Sequence, residues 1–194
     1  DSYSNVSGNP WPLEIIRPIR GTTADLKYRL SILTFLDYSD SVPVIKWEFL
    51  PDEIESILDY ECSKASCEFA GRKYTAWFTS DIPLPFGPYK FGGLPGLILK
   101  IEDSEHQYVW EAIGFENTNV PIMKYTYQDG NDKRCSVSDI EKTLARYFNS
   151  PIGFLIASMG GDGNRIHVVG KDGKRMNNAD AAKQSIPYKP LEIK

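Results

Sequence analysis

Between Leu26 and Leu36 the even positions read Leu26, Tyr28, Leu30, Ile32, Thr34 and Leu36, while the odd positions begin Lys27, Arg29 and Ser31. Side chains of a strand point alternately to its two faces, so this two-residue period predicts a strand with one face buried and one in water. The same constraint returns along the first two thirds of the chain. "VPVIKWEFLP" places Ile45, Trp47 and Phe49 on one face. "ILDYECSKASCEF" and "GRKYTAWFT" read as two strands joined at Ala70-Gly71, where Gly71 can take the positive φ of a tight hairpin. "LPGLILKIED" and "QYVWEAIGFE" read as a second hairpin turning at Asp103 to Glu105, and "VPIMKYTYQDGND" as one more strand closed by Asp129-Gly130. "LEIIRPIRG" fits a short edge strand, with Pro18 confining it to an edge.

The period then changes. In "SVSDIEKTLARYFNSP", Ile140, Leu144, Tyr147 and Phe148 fall on one face of a helix. Ser138 and Glu141 have capping-box spacing, and Pro151 ends the helix. Beyond it "GGDGN" reads as a loop, "RIHVV" and "KDGKR" as a hairpin, and the tail as a surface segment ending in a short extended stretch. Residues 1–12, "DSYSNVSGNPWP", form a flexible, turn-rich N-terminal segment, leaving 13–194 as a single β-rich domain. The fold class is therefore α+β and mainly antiparallel β: a curved open sheet or half-barrel packed on one helix, with a closed barrel or a β-sandwich as the alternative.

The chain has 194 residues with 41% hydrophobic and 25% charged, enough to bury a core. Its net charge of -4 and lack of a basic stripe argue against a nucleic-acid partner. No apolar run is long enough to span a bilayer. Three cysteines, Cys62, Cys67 and Cys135, allow one disulfide and one free thiol, and they do not combine with the two histidines at metal-ligand spacing, so no metal is implied.

Chemistry is sparse. "GPYKFGGLPGLILKIED" is glycine-rich, but a phosphate loop aims its amides from a helix N-terminus, and "LILKI" is a strand. No cofactor is implied. Gly92-Gly93 and Pro95-Gly96 read instead as two turns in succession, with Gly96 at the positive-φ position of a type II turn, aiming Leu97, Leu99 and Ile101 at the core. No G-x-S-x-G is present, and His106 and His167 read as ordinary side chains at a turn and on a short strand. "DGNDK" and "GGDGN" are fragments of calcium-loop patterns that neither completes. Asp81 and Asp103 flank the glycine-rich turn, where acids commonly accept backbone hydrogen bonds. The aromatic run offers a candidate binding surface of Arg72, Trp77, Asp81, Phe86, Tyr89, Lys90 and Phe91, with Tyr74 and Phe78 on the opposite strand face from Trp77.

Residues 60–103, "YECSKASCEFAGRKYTAWFTSDIPLPFGPYKFGGLPGLILKIED", resemble the GLPGLI family, named for the signature found here at Gly93 to Ile98. The resemblance rests on Tyr60, Cys62, Lys64 and Ala65; on Gly71, Arg72, Tyr74, Ala76 and Trp77; on Gly87 and Pro88; and on the closing "PYKPLEI". It implies an exported bacterial protein whose signal peptide is removed, periplasmic, outer-membrane associated or secreted, with no assigned catalytic residue. Since Cys62 belongs to the family pattern and Cys67 and Cys135 are extras of this chain, it also implies a Cys67–Cys135 disulfide. The function expected is a non-catalytic binding or assembly module of the envelope, with an outer-membrane transport partner or an apolar or peptide ligand. The alternatives are a hydrolase using Asp81 or Asp103 with Arg72, and a purely structural envelope protein.

Overall fold

The computed structural model describes residues 11–19, 21–30, 34–124, 131–158, 160–161, 167–169, 172–185 and 192. Two compact units divide the chain: Ser41–Met123 with Pro190–Lys194, and Asp1–Asp40 with Lys124–Lys189.

The first unit is built on a five-stranded antiparallel sheet in sequence order: β4 (Glu48–Ile57), β5 (Tyr60–Phe69), β6 (Arg72–Thr79), β7 (Leu97–Asp103) and β8 (Val109–Glu111). The β5–β6 hairpin turns where the sequence places it: Phe69 pairs with Arg72, and Ala70 and Gly71 both have positive φ, as a two-residue primed turn requires. A second such turn, Leu58-Asp59, breaks the long strand read through "ILDYECSKASCEF", so that Ile57 pairs with Tyr60. Neither turn residue is a glycine, and the sequence therefore carries no obvious signal for it. Ala65, Tyr74, Ala76, Phe78 and Ile101 are buried, on the face where Ala65 is opposite Ala76 and Ala76 is opposite Ile101. On the other face Trp77 packs with Ile57, Cys62 and Leu99. A bulge beside Phe78 shifts the register of β7. This corrects the expectation that Leu97, Leu99 and Ile101 share one face: Leu99 joins Trp77, while Ile101 lies opposite Ala76. The stretch 42–47 is irregular and β4 starts only at Glu48, so the alternation of Ile45, Trp47 and Phe49 reports no continuous strand.

The second unit holds a four-stranded sheet ordered β1-β2-β3-β9, from β1 (Trp11–Ile16), β2 (Thr23–Arg29), β3 (Thr34–Ser41) and β9 (Asn131–Arg134). β1 is an edge strand, as read, and takes in the end of the N-terminal segment expected to be flexible. The alternation from Leu26 to Leu36 divides between β2 and β3, with residues 31–33 outside the description. β3 and β9 pair in parallel, Thr34 opposite Asn131 and Asp37 opposite Arg134. Residues 121–124 are not a strand, and 125–130 lie outside the described residues.

Helix α1 (Val137–Asn149) buries Ile140, Leu144, Tyr147 and Phe148, the four residues its pattern singles out. Its capping box is Ser136 with Asp139, one pair upstream of Ser138 and Glu141. Pro151 stops α1 and opens α2 (Pro151–Ser158), which suits a residue whose missing N–H is not needed in a first turn. Strands β10 (Val168–Val169) and β11 (Arg175–Met176) form the expected hairpin, and α3 (Asn178–Ala181) follows. The architecture is α+β and mainly antiparallel β, open rather than closed into a barrel among the described residues, with three helices where one was expected. None of these helices is long and apolar enough to cross a membrane.

Candidate functional site

Residues 80–96 leave β6 and return to β7 at paired positions, Thr79 opposite Leu97, so the segment is a compact loop with adjacent ends. Backbone bonds fix it. Leu84 N donates to Ile82 O at 2.7 Å and Phe86 N to Leu84 O at 2.8 Å, two three-residue turns around Pro83 and Pro85. Gly93 N donates to Pro85 O and Ile98 N to Phe86 O, and Trp47 Nε1 donates to Gly92 O at 2.9 Å.

Two glycines of the signature are needed for different reasons. Gly93 has φ +89 and open space around it, so its requirement is conformational. A Cβ on Gly96 would lie 2.0 Å from Thr79 O, so its requirement is close backbone approach. Gly96 is absent from the positive-φ glycines. The type II turn expected at Pro95-Gly96 is therefore not formed; the glycine lets β7 enter the sheet against the end of β6.

The loop folds its aromatic residues inward. Phe91 is fully buried and meets Tyr74 edge-on at 4.7 Å, Phe69 at 5.3 Å and Trp110 at 5.9 Å. Tyr89, in the left-handed region at φ +54, stacks on Trp110 with 9° between the planes at 6.3 Å, and Tyr108, just before β8, stacks on Trp110 as well. Lys90 is only 3% exposed; its ammonium and the Tyr89 hydroxyl both donate to Glu192 Oε1. Of the candidate surface residues, Arg72, Trp77, Tyr89, Lys90 and Phe91 are thus buried, Phe86 is half-buried, and Asp81 is exposed. The loop brings Tyr89, Lys90 and Phe91 together; Trp77 lies on the opposite sheet face, its ring 5.1 Å from the Lys64 ammonium and 4.5 Å from that of Lys100.

Arg72 and Asp103 meet in a buried pair, Nη1 to Oδ2 at 3.0 Å. The second oxygen of Asp103 accepts the backbone N–H groups of Gln107 at 2.7 Å and Tyr108 at 2.8 Å. Arg72 also donates to Gln107 Oε1 and lies over the Tyr108 ring. Asp103 therefore closes the β7–β8 turn. Asp81 is not brought to it: Asp103 sits opposite Tyr74, and strand β6 from Tyr74 to Thr79 alone covers roughly 17 Å before Asp81 is reached. Of the two acids named with Arg72 for the hydrolase alternative, Asp103 meets it and Asp81 does not.

All three cysteines are free thiols. The expected Cys67–Cys135 bond is not present; Cys62 and Cys67 are buried and Cys135 is half-buried. Burial pushes the Cys67 thiol up to about 12 and raises that of Cys62 as well. Neither is a ready nucleophile, because the thiolate is the reactive form. Tyr74 and Tyr108 are raised, chiefly by burial. Among the described residues no three or more His, Cys, Asp and Glu side chains gather where they could hold a metal ion.

Sequence reasoning missed Trp110, Gln107 and Glu192. Trp110 had a signal, alternating with Tyr108 in "QYVW"; Glu192 had none, since its partners are about a hundred residues away in sequence.

Residues 69–100 match the family described as "Protein of unknown function (Porph_ging)". The matched span covers β6, the loop and the start of β7, and so holds Phe69, Arg72, Tyr74, Tyr89, Lys90 and Phe91 of this cluster but not Asp103, Tyr108, Trp110 or Glu192. No curated protein matches the chain. Solved structures of PNGF-II, in C2 and P21 space groups, are similar at 16% and 19% identity, each with a TM-score of 0.43 over 65% of this chain. The chain spans 23% of the length of those structures.

Proposed function

We propose that the chain is a non-catalytic binding or assembly module of an exported GLPGLI-type protein, acting in the periplasm or at the cell envelope on an outer-membrane transport partner or an apolar or peptide ligand. The observation that carries this reading is the placement of exposed apolar side chains. Residues 113–123, which follow edge strand β8, form no helix or strand and are exposed throughout, with Ile113, Phe115, Val120, Ile122 and Met123 among them. Val44, Phe49, Ile54, Leu84 and Val109 of the same unit are exposed too, while the other unit exposes only Ile19 and Val169 among its described large apolar residues. Exposed apolar surface concentrated in one unit favours association. Asp103, by contrast, spends its hydrogen-bonding capacity on Arg72 and two backbone amides, which supports a role for that pair in the fold.

The test is photo-crosslinking in the native envelope from a benzophenone amino acid placed at Ile113, Phe115 or Ile122. A defined adduct from these sites, and none from exposed Lys73, is the expected result. Equal labelling from all positions, or turnover of a substrate that is lost in Asp81→Asn, would sink the reading.

A further inference from the structure

We propose that the Phe115–Glu116 bond is a processing site for an endopeptidase with a hydrophobic specificity slot, and that the cut chain persists as a two-chain protein. This goes beyond the binding reading above. Neither of its tests reads a binding partner, and crosslinks from residues 113–123 report on that reading separately.

A peptide bond is cut readily when its backbone can enter a protease cleft as it stands. A bond tied into a sheet or helix must first open, and the cost of opening limits its cleavage. Residues 113–123 carry no such tie. The hydrogen bonds of the sheet end with Ala112 N donating to Leu99 O at 2.7 Å, and the second unit resumes at Lys124. Between them every residue is exposed, and among the described residues the stretch has one hydrogen bond, from Val120 N to Thr118 Oγ1. Other turns of the same unit are closed. Leu58-Asp59 is clamped by the Ile57–Tyr60 pair and Ala70-Gly71 by the Phe69–Arg72 pair, and the 80–96 loop is laced by its own backbone bonds.

The side chains select the bond. Phe115 is 52% exposed, so its ring can enter a hydrophobic slot of the kind that reads the residue on the acyl side of the cut. Pro121 has a fixed φ and no N–H, which disfavours the bonds beside it. The reaction consumes one water: its hydroxyl joins the Phe115 carbonyl carbon, the C–N bond to Glu116 breaks, and the nitrogen takes the proton.

The cut spares what holds the fold. β4 to β8 all precede it. The second unit takes β1 to β3 from before the cut and β9 with α1 from after it. The β3–β9 ladder joins them, as does Cys135 N donating to Asp37 O at 2.9 Å.

The first test is a low ratio of chymotrypsin on the folded chain, read by intact mass. Within residues 34–124 the first cut should fall at Phe115–Glu116. Its rate, relative to a short peptide substrate, should be unchanged by urea below the unfolding transition. The two fragments should co-elute in size exclusion and separate in denaturing urea. Phe49 is no less exposed but is paired with Ala65 in β4, and should stay uncut. Phe115→Asp should lose the cut and keep its Tm. A first cut at Phe49, acceleration by urea, or fragments that part without it overturns the proposal. The second test is an immunoblot of the chain, tagged after Lys194, from the cells that make it. A fragment beginning at Glu116 should appear and be lost in Phe115→Asp. Full-length chain alone, or a fragment that survives Phe115→Asp, overturns processing.

Discussion

Each unit buries a cation against an aspartate, and the two pairs are built differently. In the sheet unit Arg72 meets Asp103 at 3.0 Å, and the other carboxylate oxygen is held by two backbone amides of the hairpin turn. In the other unit the buried Lys27 stands 3.5 Å from Asp37 Oδ1, which is buried without a hydrogen bond among the described residues, while Lys124 stands 3.9 Å from the second oxygen. The first pair is locked by geometry from three directions. The second is a looser meeting of charges, with the Asp37 side chain partly open to water. A buried charge therefore specifies structure when a turn's own backbone completes it, and less when only lysine ammoniums face it.

Asp103→Ala gives the largest effect expected from this contrast. It takes the carboxylate from a buried guanidinium and from two backbone amides, and should destabilise by about 3–5 kcal/mol, whereas Asp37→Ala takes it from the buried Lys27 ammonium but from no backbone amide and should cost less. Urea unfolding of the two variants measures both, and equal losses would break the comparison. Next comes Gly96→Ala, expected near 3 kcal/mol because the new methyl meets the Thr79 carbonyl, against about 1–2 kcal/mol for Gly93→Ala, whose difficulty is φ alone. A reversed order would mean that the backbones of β6 and β7 can part at that point.

In the other unit Ser136→Ala removes the cap of α1 and should cost about 1 kcal/mol. Hydrogen bonds from Ser136 hold the Asp139 carboxyl below its ordinary value. Its stabilising contribution is therefore present above the unfolded carboxylate pKa and is lost as pH falls, and Ser136→Ala should flatten that acid limb in a pH titration of the midpoint. The smallest effect lies on the alkaline side of the sheet unit. Cys67 goes from 9.0 to about 12 on burial, so its contribution is intact below pH 9 and is lost as pH rises towards 12. Cys67→Val should make the high-pH decline shallower, and at pH 8 iodoacetamide should label half-buried Cys135 well before Cys67.

What was legible in the chain follows from how local its causes are. The Ala70-Gly71 turn announces itself because Gly71 accepts positive φ, and the buried face of α1 because four apolar residues fall at helical spacing. Leu58-Asp59 adopts the same left-handed turn without a glycine and stayed hidden. The cap of α1 was displaced by two residues because Ser136 with Asp139 and Ser138 with Glu141 share one spacing, and only the former meets the helix start. Tyr89, Lys90 and Phe91 were singled out, but a run of aromatics beside turns does not say whether it faces water or folds back. Burial on Tyr74 and Trp110 decided that, through contacts with two other strands. The parallel pairing of β3 with β9 and the reach of Glu192 have no local signature at all.

That β3–β9 pairing sets an order of events in folding. β4 to β8 follow one another in the sheet, so each strand pairs with its neighbour in sequence. Thr34–Asp37 must wait for Asn131–Arg134, much further along the chain. Until then one side of β3, beside Phe35, Leu36 and Tyr38, is an open template, and a folding factor would find its substrate there rather than in the strands that follow.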